Sequence, residues 1–463
     1  MAKKTFVLYP SLGVGHLIPM VELAKHLLRH GHAAAIAVVD APEDDVDASS
    51  AGAVARLAAA NPDVAFRHLP APPCPDDTAA DPVMRGIDAL RLAGPALGDY
   101  LRSLPAAVDA LLLDMFCADA LDVAAELGVP AYYFFASGAS ALAVFLNLPY
   151  YYPTVPSPSF REMGAALLRF PGAPPIRALD MVLAALDKNS ERTKARLHQF
   201  RRIPEARGVL VNTFDWLEPM ALRALADGGC VPGRPTPPVY CIGPLVDGFK
   251  KGGQHECLAW LDAQPERSVV FLCFGSKGAF SAAQLQEIAR GLESSGHRFL
   301  WAVRSPLEEL AGPDLERLLP AGFLERTRDR GMVAKSWVPQ AEVVRHEAVV
   351  AFVTHCGWNS ALEAIMAGLP MICWPLYAEQ RMNKVFMVEE MRIAVAIEGY
   401  DELVNAEEVD AKVRLVMETE EGKVLRERVT LTKEKAMEAI NLGGSSQVAF
   451  AEFLTDLEKK NVS

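Results

Sequence analysis

Short runs of apolar residues alternate along the chain with longer stretches in which apolar residues recur every three or four positions. The short runs are typical of buried β-strands, and the longer stretches are typical of helices that cover a sheet. In the first half of the chain we predict five strands: Thr5–Tyr9, Ala33–Val39, Ala110–Leu113, Ala131–Phe135 and Gly208–Asn212. Pro19 and Gly31 mark the ends of a helix over Pro19–His30. Strands separated by helices predict a parallel sheet with right-handed crossovers.

The pattern is interrupted near the middle of the chain. Between Cys230 and Gln254 the sequence has five prolines, five glycines and no helical period, so we predict a linker there. The alternation then restarts, with strands at Ser268–Phe274, Arg298–Val303, Met332–Ala334, Ala351–Thr354 and Met371–Trp374 and helices at Ala282–Ser294 and Ser360–Ala367. The predicted fold class is α/β, with two domains of similar size at residues 1–235 and 255–440 and a linker at residues 236–254.

Composition disfavours several classes of partner and site. The 463 residues carry 46 Lys and Arg against 58 Asp and Glu, and the net charge of −12 disfavours nucleic acid or an anionic membrane surface as a partner. No pair among the eight cysteines has C-x-x-C spacing, which favours reduced, mostly buried thiols in a cytoplasmic protein over a metal site. Prolines break the uncharged stretch between Glu126 and Arg161, so we predict a buried strand and a short buried helix there instead of an integral membrane segment.

Candidate chemistry follows the strands of the first domain. Ligands bind beyond the carboxyl ends of strands in an open parallel sheet, and the first strand is followed by the loop PSLGVGH, which ends at His16. Its lone G-x-G is weak evidence for a dinucleotide, for which Asp40 is the nearest acid. A helix N-terminus keeps an imidazole neutral, so His16 is suited to act as a base, and Asp114 is placed to stabilise its protonated form. A packing histidine, and an aspartate that caps a helix over Cys117–Leu127, remain alternatives at this point.

Loops of the second domain carry polar groups at the same end of their sheet. The loop GSKG (residues 275–278) offers backbone amides and a hydroxyl to a phosphate, although it lacks a Walker pattern. The loop THCGWNS (residues 354–360) leads into a helix that carries Glu363, which suits a diphosphate and a ribose diol. A helix cap beside a buried Trp is the structural alternative for this loop. Glu379 and Gln380 follow the next strand and suit sugar hydroxyls.

The segment from Trp337 to Gln380 resembles the signature box of plant secondary-product UDP-glycosyltransferases. The W-x-P-Q opening, the H-C-G-W-N-S centre and the E-Q ending match in order and spacing, and the N-terminal G-x-G-H extends the resemblance to essentially the whole chain. The resemblance implies a GT-B fold of two facing Rossmann-like domains, with the acceptor bound mainly by the first and the donor, UDP-glucose, by the second. It also implies that no metal and no cofactor are needed, and that a C-terminal helix in residues 441–463 packs back on the first domain.

The same resemblance implies a set of residues that bind the UDP-sugar: Ser276, Trp337, Val338, Gln340, His355, Gly357, Trp358, Asn359, Ser360, Glu363, Glu379 and Gln380. Within this set it implies that Trp337 stacks on uracil and that Glu363 binds the ribose hydroxyls. It implies that His355 holds the diphosphate together with the nearby hydroxyl and amide side chains. Gln380 at the end of the box implies glucose instead of galactose.

Residue chemistry and resemblance lead to one predicted reaction. His16 removes a proton from an acceptor hydroxyl, Asp114 balances the imidazolium, and the oxygen displaces UDP with inversion at the anomeric carbon. Attack by an aromatic carbon of a phenolic acceptor is an alternative for the same site. A UDP-sugar epimerase and a non-catalytic ligand-binding protein of the same fold are alternatives from other classes.

The acceptor is expected to be a small apolar aromatic molecule, such as a flavonoid or another phenolic. The side chains predicted to line its pocket, each with plain core packing as the alternative, are Phe116, Ser137, Phe145 and Tyr150. Two positions depart from the family pattern. Val350-Ala351 stands where the box commonly has a glycine pair, and Ala136 stands where some relatives place a threonine near the sugar 6-hydroxyl, with Ser137 next to it. We expect the protein to act as a monomer.

Overall fold

The computed structural model of the chain describes residues 3–40, 49–70, 81–155, 157, 159–246, 255–304, 312–335 and 337–459. Two compact units divide the chain. Unit 1 comprises Met1–Val246 and Ala439–Ser463, and unit 2 comprises Asp247–Glu438. The segment predicted as a linker contains a strand, Val239–Cys241, that belongs to the sheet of unit 1, so the predicted linker began too early. Residues 247–254 of that segment lie outside the described residues.

Unit 1 is built on a seven-stranded sheet with the order β3-β2-β1-β4-β5-β8-β9, and every strand pair in it is parallel. A small antiparallel hairpin, β6-β7, lies outside this sheet. The strands are β1 Thr5–Tyr9, β2 Ala33–Val39, β3 Ala65–Leu69, β4 Ala110–Asp114, β5 Ala131–Phe135, β6 Leu167–Leu168, β7 Ile176–Arg177, β8 Val209–Val211 and β9 Val239–Cys241. The central strands are apolar throughout because helices cover both faces of a parallel sheet. The edge strand β3 was missed by the sequence pattern because its residues AFRHL are mostly accessible and include the polar Arg67 and His68.

The helices of unit 1 connect these strands. They are α1 Val14–Arg29, α2 Ser49–Ala60, α3 Pro82–Leu92, α4 Gly94–Ser103, α5 Ala120–Leu127, α6 Ala139–Tyr151, α7 Phe160–Met163, α8 Glu191–Arg202 and α9 Pro219–Ala226. Single 3₁₀ turns cover Tyr152–Thr154, Ala178–Asp180, Leu183–Ala185 and Ile203–Glu205. Helix α6 is the buried helix predicted in the uncharged stretch, and all but its last two residues are buried. Within the described residues, no helix combines the length and the apolar character that a membrane crossing requires.

Helix α1 begins five residues earlier than predicted. Gly13 precedes it with a φ of 103°, a conformation that favours glycine, and its carbonyl accepts the amides of His16 and Leu17. The first turn therefore forms ahead of Pro19, which lies inside the helix. Consequently His16 stands on the first turn of α1, where its backbone is fixed, instead of in the preceding loop.

Unit 2 is built on a six-stranded parallel sheet with the order β12-β11-β10-β13-β14-β15. Its strands are β10 Val269–Cys273, β11 Arg298–Val303, β12 Gly331–Lys335, β13 Val349–Thr354, β14 Met371–Cys373 and β15 Ala394–Ala396. Its helices are α10 Glu256–Asp262, α11 Ala282–Ser295, α12 Leu315–Leu318, α13 Phe323–Thr327, α14 Gln340–Val344, α15 Trp358–Ala367, α16 Gln380–Val385, α17 Ala406–Glu418 and α18 Glu420–Ile440. A π-helical turn, Phe386–Glu390, follows α16.

The last helix, α19 (Ser445–Glu458), packs on unit 1. Phe450, Phe453 and Leu454 belong to the same buried cluster as the β1 and β5 side chains. The Tyr132 hydroxyl donates a hydrogen bond to Asp456 over 2.5 Å. Apolar burial and this polar contact together attach the end of the chain to the first unit.

Both sheets change direction at one point. In unit 1 the chain moves outward from β1 in one direction through β2 and β3, and in the other from β4 onward. In unit 2 the corresponding pair of strands is β10 and β13. The loops after such a pair diverge to opposite sides, and the crevice they leave at the carboxyl ends is where open parallel sheets bind ligands. Each unit therefore has a predicted ligand position defined by topology.

Candidate active site

The crevice of unit 1 contains a histidine and an aspartate. His16, on α1 after β1, places Nδ1 2.9 Å from Oδ2 of Asp114, the last residue of β4. The histidine side chain is 27% exposed, whereas the aspartate side chain is fully buried. Because a carboxylate only accepts hydrogen bonds, Nδ1 carries the proton and Nε2 is the nitrogen that can accept one. The pair predicted from separate loops is thus in hydrogen-bonding contact.

The second carboxylate oxygen of Asp114 also has a partner. Oδ1 accepts the backbone amide of Phe116 over 3.0 Å. Helix α5 starts only at Ala120, with Asp119 at its N-cap position, so Asp114 does not cap that helix as the alternative required. Asp114 is instead held with one oxygen on the backbone of its own loop and the other on His16.

Phe116 links this pair to helix α8. Its ring meets the His16 ring edge to face, with centroids 5.2 Å apart, and the Arg196 guanidinium lies 3.7 Å from the centre of the Phe116 ring. The Phe116 carbonyl accepts the side-chain amide of Gln199 over 2.8 Å, and Arg196 donates to the same Gln199 side chain over 2.7 Å. Phe116 was predicted to line an acceptor pocket; the structure places it, half-buried, directly against the candidate base.

The other predicted acceptor residues lie in different surroundings. Phe145 is only 2% exposed and stacks on Phe200 with centroids 4.2 Å apart, so its ring is core packing in this structure and not accessible lining. Tyr150 is partly exposed near the end of α6. Ser137 is buried, and within the described residues its hydroxyl has no hydrogen-bond partner.

The start of α6 next to Ser137 is occupied by a buried carboxylate. Glu218 accepts the backbone amides of Ala139 and Ser140, each over 2.9 Å, and the hydroxyl of Thr213 over 2.5 Å. Burial raises the pKa of Glu218, while these hydrogen bonds act in the opposite direction. The N-terminal amides of α6 are therefore already bonded to the protein itself, which leaves the hydroxyl of Ser137 as the polar group at that position.

The crevice of unit 2 contains a histidine of a different kind. His355, directly after β13, is buried, and burial lowers its pKa to about 4. A Cβ atom added at Gly275 or Gly357 would lie 2.6 Å or 2.5 Å from its Nε2, so both positions must be glycine for the ring to fit. Within the described residues its Nδ1 has no hydrogen-bond partner. The ring is a neutral imidazole held between two glycine backbones at the start of α15.

A second group of box residues surrounds the start of α14. The Gln340 side-chain amide donates to the Ser360 hydroxyl over 2.9 Å and to the Glu363 carboxylate over 2.8 Å. Trp337 is 62% exposed, an unusual exposure for a large aromatic side chain, and its ring meets the His255 ring at 5.7 Å. The structure thus brings an accessible aromatic face and a fixed carboxylate onto adjacent segments, whereas Val338 between them is buried.

The remaining box residues lie on the loops around α15 and α16. Gln380 is buried, and its side-chain carbonyl accepts the backbone amides of Leu376 and Tyr377, each over 2.9 Å. The amide of Gln380 can then offer only its NH₂ group to a ligand. Three further residues are placed by their exposure alone: Trp358 is buried, Glu379 is partly exposed, and Ser276 is exposed on the loop after β10. Gly357 and Asn359 flank Trp358 at the first turn of α15.

Sequence reasoning missed the residues that support these sites. Arg196 and Gln199 lie on a charged helix without a motif, and Glu218 lies at a helix start without a recognisable pattern. Asn383 is fully buried and donates to the carbonyl of Cys356 over 3.0 Å, which fixes the loop after His355. Their contacts connect residues up to 83 positions apart, so local sequence carried no signal for them. In the part of the chain that the structure describes, no three His, Cys, Asp or Glu side chains are grouped so as to hold a metal ion.

Comparisons with known proteins identify the family. Residues 234–440 match the family described as UDP-glucoronosyl and UDP-glucosyl transferase. The chain is 43% identical to a phloretin 2′-O-glucosyltransferase from Malus domestica over 97% of this chain and 99% of that protein. Among solved structures, a UDP-glucosyltransferase from Polygonum tinctorium, capable of glucosylating indoxyl, superimposes with a TM-score of 0.89 at 36% identity over 99% of both chains.

A second solved structure adds a bound donor analogue. UGT2 from Phytolacca americana, in complex with UDP-2-fluoro-glucose and pterostilbene, matches with a TM-score of 0.85 at 34% identity over 98% of this chain and 100% of that one. The predicted GT-B fold class is confirmed by these neighbours. The chain belongs to the plant UDP-glycosyltransferase family, and it is a glycosyltransferase whose donor is a UDP-sugar.

Proposed function

We propose that the protein transfers glucose from UDP-glucose to a hydroxyl of a flat phenolic acceptor, with inversion at the anomeric carbon. The observation that carries the proposal is the 2.9 Å contact between Nδ1 of His16 and Asp114. It directs Nε2 to accept the hydroxyl proton and gives the resulting imidazolium a buried carboxylate partner. The transferred sugar then receives an oxygen nucleophile as UDP departs.

Two residues of unit 2 carry the proposal for the nucleoside part of the donor. The exposed face of Trp337 is suited to stack on uracil, because a flat apolar ring gains most from covering another flat ring. Gln340 fixes Glu363, whose carboxylate is suited to accept the two ribose hydroxyls.

The diphosphate is assigned to the start of α15. Its first amides and the hydroxyl of Ser360 are hydrogen-bond donors at the positive end of a helix dipole. Burial keeps His355 neutral at physiological pH, and its ring hydrogen-bonds the Cys273 backbone, so the ring supplies no charge and supports these donors by packing against Gly357. These donors stabilise UDP as a leaving group. The NH₂ group of Gln380 is assigned to the sugar hydroxyls.

The acceptor class rests on unit 1 and on the relatives. Phe116 lies beside the candidate base and presents an aromatic ring, and Tyr150 on α6 is accessible. The Malus domestica relative is named for glucosylation of phloretin, and the Phytolacca americana structure contains pterostilbene. Both compounds are phenols, which supports a phenolic hydroxyl as the acceptor of this chain.

Product analysis tests the proposal. The purified chain is incubated with UDP-glucose, or with UDP-galactose as the matched donor, and a panel of phenols that includes phloretin and pterostilbene. From UDP-glucose we expect products heavier by one hexosyl unit, and their NMR spectra should show the anomeric proton of a β-configured sugar that is linked through oxygen. From UDP-galactose we expect little product. A carbon-linked sugar would reject hydroxyl attack. Conversion of UDP-glucose into another UDP-sugar without an acceptor would indicate an epimerase. If UDP-glucose stays intact in the presence of every phenol tested, the result would favour a non-catalytic binding protein.

A further inference from the structure

Phe116 makes four separate contacts around the candidate base. Its backbone amide donates to Asp114, its ring contacts the His16 ring, its ring face carries the Arg196 guanidinium, and its carbonyl accepts a hydrogen bond from Gln199. Two of these contacts reach the His16–Asp114 pair and two reach helix α8. The conformation of this one residue therefore connects the pair to a helix that lies about 80 residues away along the chain.

Arg196 and Gln199 act on Phe116 as a unit. They are three residues apart on α8, and Nη1 of Arg196 donates to Oε1 of Gln199 over 2.7 Å while Nε2 of Gln199 donates to the Phe116 carbonyl. The planar guanidinium covers the ring, and the amide fixes the backbone of the same residue. A change in the orientation of the Phe116 ring or of its backbone carbonyl would then break one of these contacts.

Helix α8 is itself firmly attached. Arg192 pairs with Asp81 ahead of α3, and Arg202 pairs with Asp122 of α5 over 2.6 Å. Phe200 stacks on Phe145 of α6 in the core. The clamp formed by Arg196 and Gln199 is therefore mounted on a helix held at both ends and on its buried face.

We propose that Arg196 and Gln199 are positioning residues that hold Phe116, and through it the His16–Asp114 pair, in the geometry for proton removal. The inference rests on the proposed function, because it assigns a purpose to the geometry of the proposed base. With both oxygens of Asp114 bonded and the His16 ring in contact with Phe116, Nε2 is left with a single direction in which to accept a proton. A base held in one orientation removes a proton more often than a base that rotates.

The charge of Arg196 adds an electrostatic effect. The charged and titratable groups around the Phe116 loop include Asp114 from β4, Arg196 from α8, and Asp119, which lies 3.8 Å from Arg202 and 3.9 Å from His198. The Cys117 thiol in the same loop stays neutral because burial raises its pKa well above the usual value. Arg196 and His16 contact the same Phe116 ring, and a positive charge at that separation disfavours a second one on the imidazole. We therefore expect loss of the Arg196 charge to favour the imidazolium and to move the acid limb of activity to higher pH.

Three variants separate shape from charge. Arg196→Met keeps a long stem and loses the charge, Arg196→Lys keeps the charge and loses the planar group, and Arg201→Met is the matched control because Arg201 lies exposed on the same helix. With a phenolic acceptor and UDP-glucose, we expect kcat to fall about 10-fold in both Arg196 variants, with the KM for UDP-glucose within about twofold of wild type. We expect the acid limb to rise by about 0.3 to 0.5 pH unit in Arg196→Met alone. Arg201→Met should match wild type in every measurement.

An NMR titration of the His16 imidazole supplies a readout that does not depend on turnover. Its signals are assigned by their loss in His16→Ala, and its midpoint should move to higher pH in Arg196→Met and stay in place in Arg196→Lys. Unchanged kcat and an unchanged midpoint in Arg196→Met would overturn the proposal that Arg196 and Gln199 are positioning residues. A loss of kcat that is matched by a loss of thermal stability in both Arg196 variants would also overturn it. If wild type transfers no sugar, the proposed function fails, and the titration still decides whether Arg196 acts on His16. If His16→Ala retains activity, the base assignment fails separately.

Discussion

The two units use the same topology and place opposite kinds of histidine at its crevice. In unit 1, between β1 and β4, His16 is partly exposed and paired with the buried Asp114. In unit 2, between β10 and β13, His355 is buried between Gly275 and Gly357, and burial lowers its pKa to about 4. A carboxylate partner stabilises an imidazolium, and desolvation destabilises one. The same side chain is therefore suited to accept a proton in one unit and to remain neutral in the other.

This difference is produced by neighbours and not by the strand order. Both sheets place a loop after the first strand beside a loop after the fourth. In unit 1 the histidine follows the first strand and its partner ends the fourth. In unit 2 the loop after the first strand contributes glycine backbone and a serine, and the histidine follows the fourth strand. The fold supplies a position for chemistry, and the residues placed there decide which chemistry it is.

The largest expected effect is the loss of the proton acceptor in unit 1. His16→Ala should lower kcat about 1,000-fold, because a general base contributes factors of this size. UDP binding, measured by calorimetry, should stay at the wild-type value, because the residues assigned to UDP belong to unit 2. His68→Ala serves as the control, since the His68 side chain is 55% exposed. Equal activity in His16→Ala and wild type would remove the proposed distinction between the two histidines.

Asp114→Asn tests whether the carboxylate defines the function of His16. We expect kcat to fall about 100-fold, because an amide no longer stabilises the imidazolium and can select the wrong tautomer. Thermal unfolding should change little, since Asn retains an oxygen for the Phe116 amide. Steady-state kinetics against pH measures the effect. A variant with wild-type rate would show that the contact with His16 is structural only.

The buried histidine should make unit 2 sensitive to acid. The folded-state pKa of His355 lies below the value of about 6.5 for an unfolded chain, so the unfolded state binds the proton first and stability falls as pH drops below about 6.5. The expected loss from this group is about 2 kcal/mol at pH 5 relative to pH 7. Urea unfolding should therefore show a flatter pH dependence for His355→Asn than for wild type. His26, which burial shifts to a pKa of about 3, should add a similar dependence in unit 1. Identical slopes for variant and wild type would contradict the assignment.

The smallest expected effect comes from a test of the requirement for glycine beside His355. In Gly357→Ala the new Cβ would lie 2.5 Å from Nε2 of His355, while the backbone φ of −64° suits any residue. Displacement of the ring should weaken UDP binding about 10-fold, which is about 1.4 kcal/mol. Gly94→Ala is the matched control, because its Cβ would meet the nearest atom at an ordinary 3.5 Å. UDP affinity equal to wild type would show that His355 does not contact the donor.

Much of the architecture was predictable because parallel strands leave a clear sequence pattern. Strands at Thr5–Tyr9, Ala33–Val39 and Ala131–Phe135 were predicted with the bounds that the structure has. The prediction failed where burial is incomplete or where a turn competes with a proline. Strand β3 is mostly accessible, and α1 begins ahead of Pro19 because Gly13 adopts a conformation that sequence pattern alone does not reveal.

The candidate site was likewise predictable from the sequence in part. The box from Trp337 to Gln380 could be recognised because its residues are local in sequence and their spacing is fixed by one strand-loop-helix unit after another. The lining role predicted for Phe145 was not supported, because an aromatic residue on a helix looks the same in sequence whether it packs in a core or faces a ligand. The clamp formed by Arg196 and Gln199 could not be predicted, since it joins Phe116 to a helix about 80 residues away along the chain.

The sequence by itself determined most strands of the two sheets and the presence of the box from Trp337 to Gln380. It did so because hydrophobic period, turn residues and motif spacing are local properties. Only the tertiary structure decided that His16 lies 2.9 Å from Asp114, that His355 is enclosed by two glycines and that Arg196 covers Phe116. These are properties of neighbours distant along the chain. Desolvation and pairing, which place the two histidines in opposite environments, exist only once those neighbours are in place.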